Sequence, residues 1–320
     1  MATFTSLTAH LSKTPRFTYR QYLDSNPVSG QRKVRLLGEP DEYMRIVHDR
    51  FIRYLRRLCP RLPNATSYHK GDSPMKNVRP HLRHRFFYLL DIRNAYGTVD
   101  VQRLTQTLFN RDMAFWGYRV ENTFAFLQAY CTYPTPEPSV TQTDVRRSGL
   151  IIGAPASPIL FNIYAGIRID EALASLCEKH GLTYTRYIDD LTFSSPKVIG
   201  LRVRRQIRNV IQATGFGIHD WKARVIDLRR QSSVLITGVG VKLDGTVFLP
   251  RHYVKKLRGL IHAANRSTAI TPPMVEGRMG LFRAVMGRRA PNRTEQTLLN
   301  AYHKWRAGTY PAQKKRKSRY

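Results

Sequence analysis

Tyr187-Ile188-Asp189-Asp190 stands between two short runs of strand-forming residues, Thr183-Tyr184-Thr185-Arg186 and Leu191-Thr192-Phe193. β-Branched and aromatic side chains on either side of a polar pair read as a β-hairpin with two adjacent carboxylates at its turn. Neighbouring acids repel each other, and a turn without a chemical duty forms more cheaply from Asn-Gly or Asp-Gly. Divalent cations would neutralise such a pair. A further acid lies far upstream, where Phe86-Phe87-Tyr88-Leu89-Leu90 ends in Asp91. That continuous apolar run has the pattern of a buried central strand. If the two strands are neighbours in one sheet, three carboxylates converge at one edge.

The chain has 320 residues, 42% of them hydrophobic, enough for one large globular unit or a few small ones. Lys and Arg number 53 against 22 acids, a net charge of +31. A charge of that size opposes compaction and fits a polyanionic partner, nucleic acid before a membrane surface. No segment approaches the ~18–20 apolar residues of a membrane span. Met1 to Arg16 has no apolar core behind its basic residues, so no secretory signal is expected. Cys59, Cys131 and Cys177 are far apart, which suits buried thiols in a reducing cytoplasm and supports neither a disulfide framework nor a zinc site.

No internal repeat is evident. Residues 1–30 read as a polar extension. Gln31 to Leu37 alternates basic and apolar residues, a strand whose cationic face (Arg32, Lys33, Arg35) would supply charge to a triphosphate. Pro40-Asp41 opens a helix with Met44, Val47, Phe51, Leu55 and Leu58 on one stripe; Arg45, Arg53, Arg56 and Arg57 on the other face are solvated or touch phosphate. A helix follows through Val101, Leu104 and Leu108. Ser157-Pro158, an N-cap followed by a first-turn proline, starts a long helix that stops at Gly181. The spacing predicts another helix through Val203, Ile207 and Ile211 to Gly215, and a hairpin over Val239–Leu249 closed by Asp244-Gly245. Beyond Pro250 the pattern is helical: Tyr253 to Ile261, Met274 to Met286, Thr294 to Trp305. Strands in the middle and helices at the end indicate an α+β core with a helical C-terminal subdomain. The tail Lys314 to Arg319 is a phosphate-binding arm or a solubilising end. Three converging carboxylates would hold two Mg²⁺ ions, one to activate a 3′-hydroxyl and one to stabilise a triphosphate leaving group. Phosphoryl transfer needs little beyond that, positioning and positive charge.

Three motifs carry a family resemblance. Asp91-Ile92-Arg93-Asn94-Ala95-Tyr96 resembles the first catalytic motif of reverse transcriptases, an Asp followed five positions later by an aromatic. Gly153-Ala154-Pro155-Ala156-Ser157-Pro158 is similar to their Gly-x-Pro-x-Ser-Pro motif, and Tyr187-Ile188-Asp189-Asp190 to their Tyr-x-Asp-Asp box. The resemblance implies a right-hand polymerase fold: an extension over 1–30, fingers and palm over 31–247, and a helical thumb with a basic tail over 248–320. It implies RNA-templated DNA synthesis from dNTPs, with Asp91, Asp189 and Asp190 as Mg²⁺ ligands. Tyr96 would be the steric gate that excludes a ribose 2′-hydroxyl, or a core aromatic beside the strand, or both. Lys222 would protonate or screen the pyrophosphate. Gly153, Pro155 and Ser157 would let the backbone approach the template and nascent pair.

Asn77-Val78-Arg79-Pro80-His81 is similar to the Asn-Ala-x-x-His element of retron enzymes, and Ile236-Thr237-Gly238 to their Val-Thr-Gly. The implied partners are a cognate structured non-coding RNA, an RNA–DNA hybrid and a separate effector protein in anti-phage defence. Asn77 and His81, with Lys255, Lys256 and Arg258 of the basic helical end, would contact RNA through shape and phosphates. Ile151-Ile152 stands where the family usually has Pro-Gln, removing an amide that meets the incoming nucleotide or template. Alternatives are an untemplated or group II intron-type polymerase, and a non-catalytic RNA-binding scaffold.

Overall fold

The computed structural model describes residues 17–25, 32–59, 62–110, 120–133, 149–267 and 269–309. The tail Lys314 to Arg319 lies outside them. Strands β1 (Phe17–Ser25) and β2 (Arg32–Pro40) pair antiparallel along their whole length, from Phe17 opposite Pro40 to Ser25 opposite Arg32. The expected boundary at residue 30 therefore falls between two paired strands. The extension reading failed because β1 pairs with the strand that comes after it, which a polar stretch does not announce.

Helix α1 (Glu42–Leu58) starts where expected. Asp41 caps it, accepting from the Met44 amide at 2.8 Å, and Met44, Val47, Phe51 and Leu55 are buried. Short α2 (Pro74–Val78) leads through one 3₁₀ turn into β3 (Phe86–Arg93). Next come α3 (Val101–Phe109), capped by Asp100, and α4 (Val120–Cys131). The long expected helix is α5 (Ser157–Ala165), one π-helical turn (Gly166–Asp170), and α6 (Glu171–Lys179). Ser157 is its first helical residue and not its cap; the hydroxyl turns back to donate to the Ile151 carbonyl at 2.6 Å.

The hairpin β4 (Thr183–Tyr187) and β5 (Asp190–Ser195) precedes α7 (Leu201–Ala213), β6 (Gly217–Ile218) and β7 (Arg224–Asp227). These strands and β3 form one antiparallel sheet in the order β4-β5-β3, with β7 and β6 sharing the far side of β3. Strands β8 (Val234–Ile236), β9 (Val239–Val241) and β10 (Val247–Phe248) form a second small sheet. Helices α8 (Arg251–Ala264), α9 (Pro272–Met286) and α10 (Arg293–Thr309) complete the chain.

Alternation along β3 divides the interior. Tyr88, Leu90 and Ile92 join a core with α1, α3 to α7 and Phe193. Phe87 points the other way, into a core shared with Ile226, the second sheet and the buried stripes of α8, α9 and α10. That second core runs across residue 247, so the C-terminal helices rest on the small second sheet.

Candidate active site

In the main sheet Asp91 lies directly opposite Asp190, and the Ile92 amide donates to the Asp189 carbonyl at 2.9 Å. Opposed residues of an antiparallel pair sit about 4.5–5.5 Å apart at Cα. Three carboxylates thus converge at one corner, as the sequence pattern required. Their charges are costly there. Burial, then the neighbouring Asp189 and Asp91, push Asp190 up to about 7; burial and Asp91 also raise Asp189. Lys222 and Arg35 act against the rise at Asp189, and Lys222 and Arg224 against that at Asp190. The Lys222 ammonium donates to Asp91 Oδ2 at 2.7 Å, and His219 Nε2 stands 3.5 Å from Asp91 Oδ1. A cleft of about 300 Å³ opens beside the corner, lined by Leu89, Asp91, Asp190, Lys222, Arg224 and Thr237. Desolvated, mutually repelling carboxylates are a donor set that suits divalent cations. Among the described residues no three such side chains already stand around a single metal-sized point, and at Asp91 a cation would compete with Lys222.

The turn that carries Asp189 is strained and held. Tyr187 pairs with Asp190, leaving Ile188 and Asp189 as the two turn residues, and Ile188 has φ +59°. A β-branched residue in the left-handed region costs on the order of 1–3 kcal/mol and persists only where its surroundings impose it. Here the Ile188 amide donates to Ser67 Oγ at 3.1 Å, and its carbonyl accepts from Arg186 Nη1 at 3.0 Å. Arg186 is wholly buried and forks onto Asp170 at 2.7–3.0 Å, with a further bond to the Asn162 carbonyl. Tyr184 donates to the same Asp170 at 2.7 Å. Thr66 bonds the Arg186 carbonyl through both its amide and its hydroxyl. Asp170 lies in the π-helical turn, so the irregular stretch of that helix faces the pair it serves.

Tyr96 lies half-buried beyond the corner, its ring edge-on to Phe161 with centroids 5.5 Å apart. Its hydroxyl is 3.1 Å from that of Tyr68. Gly153 has φ +101°, and a Cβ there would come within 2.9 Å of the Gly38 carbonyl oxygen. The glycine-proline loop therefore lets strand β2 cross closely. Gly153 is exposed and Pro155 partly so, whereas Ser157 is buried and closes the loop internally, out of reach of a substrate. Arg35 is exposed on β2 and its charge reaches Asp189. Arg32 and Lys33 belong to β2 by backbone, and their side chains lie outside what the structure describes.

Asn77 and His81 are not surface groups. Both are fully buried, so neither touches RNA. Asn77 Oδ1 accepts from Thr66 Oγ1 at 2.9 Å, tying the loop behind the Ile188–Asp189 turn to α2. His81 bridges β5 and β4, 2.6 Å from Ser194 Oγ and 2.7 Å from Thr185 Oγ1. Burial, with His84 nearby, lowers it to about 3. Both residues brace the sheet beneath the acids. Lys255, Lys256 and Arg258 are exposed on α8. Sequence reasoning missed Tyr68, Ser67, Arg186 with Asp170, and Arg224. Only Arg186 carried a signal, as a cation in a strand otherwise built to be buried.

The family described as reverse transcriptase (RNA-dependent DNA polymerase) matches residues 26–241. The chain belongs to the reverse transcriptase family. Among curated reverse transcriptases, that of retron Mx65 from Myxococcus xanthus is 32% identical over 79% of this chain and 58% of its own length. That of retron Ec86 from Escherichia coli is 23% identical over 78% of this chain and 71% of its own. The chain thus spans little more than half the length of the Myxococcus relative. In fold the chain is similar to a Candida tropicalis telomerase solved with a fragment of telomeric RNA: TM-score 0.52, 10% identity, 95% of this chain and 57% of that one. This family membership and architecture identify the α+β arrangement as the right-hand polymerase fold. No described helix is long and apolar enough to cross a membrane.

Proposed function

We propose that the chain is an RNA-directed DNA polymerase that adds dNTPs to a primer by two-metal nucleotidyl transfer. The observation that carries this reading is the pairing of Asp91 with Asp190 across one ladder, with Asp189 tied to Ile92 at the same corner. Asp91, Asp189 and Asp190 would hold two divalent cations, Mg²⁺ in the cell. When bound, these ions would activate a 3′-hydroxyl and neutralise a triphosphate. The rest is positioning by the chain itself. Arg186, Ser67 and Thr66 fix the turn that presents Asp189. Lys222, 2.7 Å from Asp91 Oδ2, would donate a proton to the departing pyrophosphate or screen its charge. Arg35, with Arg32 and Lys33 of the same strand, would draw in the triphosphate, and Tyr96 would fill the space a 2′-hydroxyl needs.

The likeness to retron enzymes, the large positive charge and the exposed cations of α8 support a cognate structured non-coding RNA as template, copied into an RNA–DNA hybrid. A separate effector protein, anti-phage defence and a cytoplasmic site of action belong to the same proposal. The domain reading is retained as fingers and palm followed by a thumb from about residue 248, with the fingers beginning at β1.

Primer extension by the purified chain with Mg²⁺ on a defined RNA template, together with sequencing of the nucleic acid that copurifies, tests the reading. Template-dependent DNA synthesis that vanishes in D189N/D190N is the expected result. A double variant that still extends the primer overturns the site. A wild-type chain inactive with Mg²⁺ and Mn²⁺ on several primer-templates overturns the activity.

A further inference from the structure

Tyr68 lies in the segment Asn64 to Ser73, outside the three motifs that carry the family resemblance. Yet that segment is bonded to strand β4 and to the turn that follows it. The Arg186 amide donates to the Asn64 carbonyl at 2.8 Å, the Thr66 amide to the Arg186 carbonyl at 2.9 Å, and the Ile188 amide to Ser67 Oγ at 3.1 Å. The Ser67 carbonyl accepts from Asn162 Nδ2 at 3.3 Å, and one residue beyond Tyr68 the His69 amide donates to Asp72 at 2.8 Å. Between these ties Tyr68 takes φ +69°. Left-handed backbone is uncommon for an aromatic residue, and such conformations gather at functional sites where neighbours enforce them.

The enforced conformation delivers the Tyr68 hydroxyl to within 3.1 Å of the Tyr96 hydroxyl. Tyr96 is constrained from two directions: Phe161 meets its ring and Tyr68 meets its far end. Packing alone limits a ring's tilt, whereas a bond to the hydroxyl fixes where the ring's end stands. Burial, and further the Asp189 carboxylate, hold both phenols protonated, so one can always donate to the other. The pair thereby joins the residue that would exclude a 2′-hydroxyl to the turn that carries a catalytic acid.

We propose that Tyr68 is a specificity-determining positioning residue, whose hydroxyl holds the Tyr96 ring in the place that admits deoxynucleotides and refuses ribonucleotides. The inference rests on the reading of Tyr96 as the sugar gate. Loss of one neutral hydrogen bond is worth about a three- to tenfold change. Tyr68→Phe removes the bond and keeps the ring. The readout is the ratio of kcat/KM for dTTP to that for UTP, in single additions to a primer on a poly(rA) template. A general loss of folded enzyme lowers both values and leaves their ratio alone.

The expected ratio for Tyr68→Phe is about three- to tenfold below wild type. Tyr96→Phe, which breaks the same bond from its other end, gives the same drop, and the double variant no more than either single one. Tyr96→Val, which opens the gate itself, lowers the ratio further. If Tyr96→Val lowers it while both Phe variants leave it at the wild-type value, Tyr68 has no part in selection and the gate reading survives. If Tyr96→Val leaves the ratio unchanged, the gate reading fails and takes this proposal with it. Additive effects of the two Phe changes also overturn it, because Tyr68 would then act by another route.

Discussion

The corner around the Ile188–Asp189 turn and the three C-terminal helices are built on opposite plans. At the corner the buried groups are polar and directional: Arg186, Asp170, Asn162, Asn77, His81, Thr66 and Ser67. In the helices the buried groups are mainly Val, Leu, Ile, Met, Phe and aromatic side chains at helical spacing, with Arg and Lys outside. Among the described residues the non-glycine positions with left-handed φ are Tyr68, Arg83, Asn94, Ile188 and Thr237, none of them beyond the second sheet. Holding carboxylates to a fraction of an ångström takes bonds with direction and a backbone forced into place. Amphipathic helices that bury one apolar stripe need no such strain. The polar plan has a cost, since each buried charge or unpaired donor threatens stability if its partner goes.

The largest effect should come from the acids themselves. D189N/D190N is expected to bring nucleotide incorporation to background while raising the melting temperature of the metal-free protein, because two repelling, desolvated charges are gone. Calorimetry in EDTA beside a primer-extension assay checks both halves, and a lowered melting temperature would contradict the electrostatic account.

Arg186→Met should come next. It strands the Asp170 charge in the interior, at about 3–5 kcal/mol of stability, whereas replacing both partners by apolar residues recovers most of that. R186M/D170L is therefore expected to regain the denaturant midpoint lost by R186M but to stay catalytically impaired, since Ile188 has still lost its carbonyl partner. Full recovery of kcat in the double variant would show that the pair serves folding alone.

Acid should probe buried groups both at that corner and on α1, where His48 Nδ1 accepts from the Ala156 amide. His48, lowered to about 4 by burial, and His81, lowered to about 3, are neutral in the fold and charge freely when unfolded. Their folded values lie below the unfolded one, so stability is complete above about pH 6.5 and falls as pH drops toward 4. From pH 7 to 5 this amounts to about 2 kcal/mol per histidine. Asp190 works in the opposite sense: its raised value makes the fold gain about 2 kcal/mol over the same range without metal. Urea midpoints in EDTA should thus fall modestly for wild type and more steeply for D190N. Parallel curves would refute the assignment.

The smallest effect belongs to the helices. Lys255→Ala and Arg258→Ala should each weaken binding of an RNA–DNA hybrid a few-fold and reduce the slope of log affinity against log salt by up to about one. Unchanged slopes would place these cations away from phosphate.

Periodic elements were legible. The apolar run of β3, the Asp41 cap, the Asp244-Gly245 turn, where Gly245 has φ +86°, and the three terminal helices follow from local pattern and turn chemistry. So did the convergence of Asp91 with Asp190, once the two strands were taken as neighbours. Ser157 misled because Ser-Pro is a good helix opening, yet its hydroxyl found a better acceptor in the Ile151 carbonyl. Asn77 and His81 misled because polar residues in a loop usually face water, and these two meet Thr66, Ser194 and Thr185 instead.

By itself the amino-acid order determined most of the long strands and helices, though not β1 or α4, and where the acids fall along them; its summed charge favours a polyanionic partner. Those depend on side-chain period, backbone propensity and summed charge, all of which are local or additive. Only the tertiary structure decided which polar groups face substrate and which brace the turn, and that Tyr68 meets Tyr96. A polar side chain's duty is set by the partner it finds, and Arg186 with Asp170, Asn77 with Thr66, and His81 with Ser194 are brought together by packing rather than by any period in the chain.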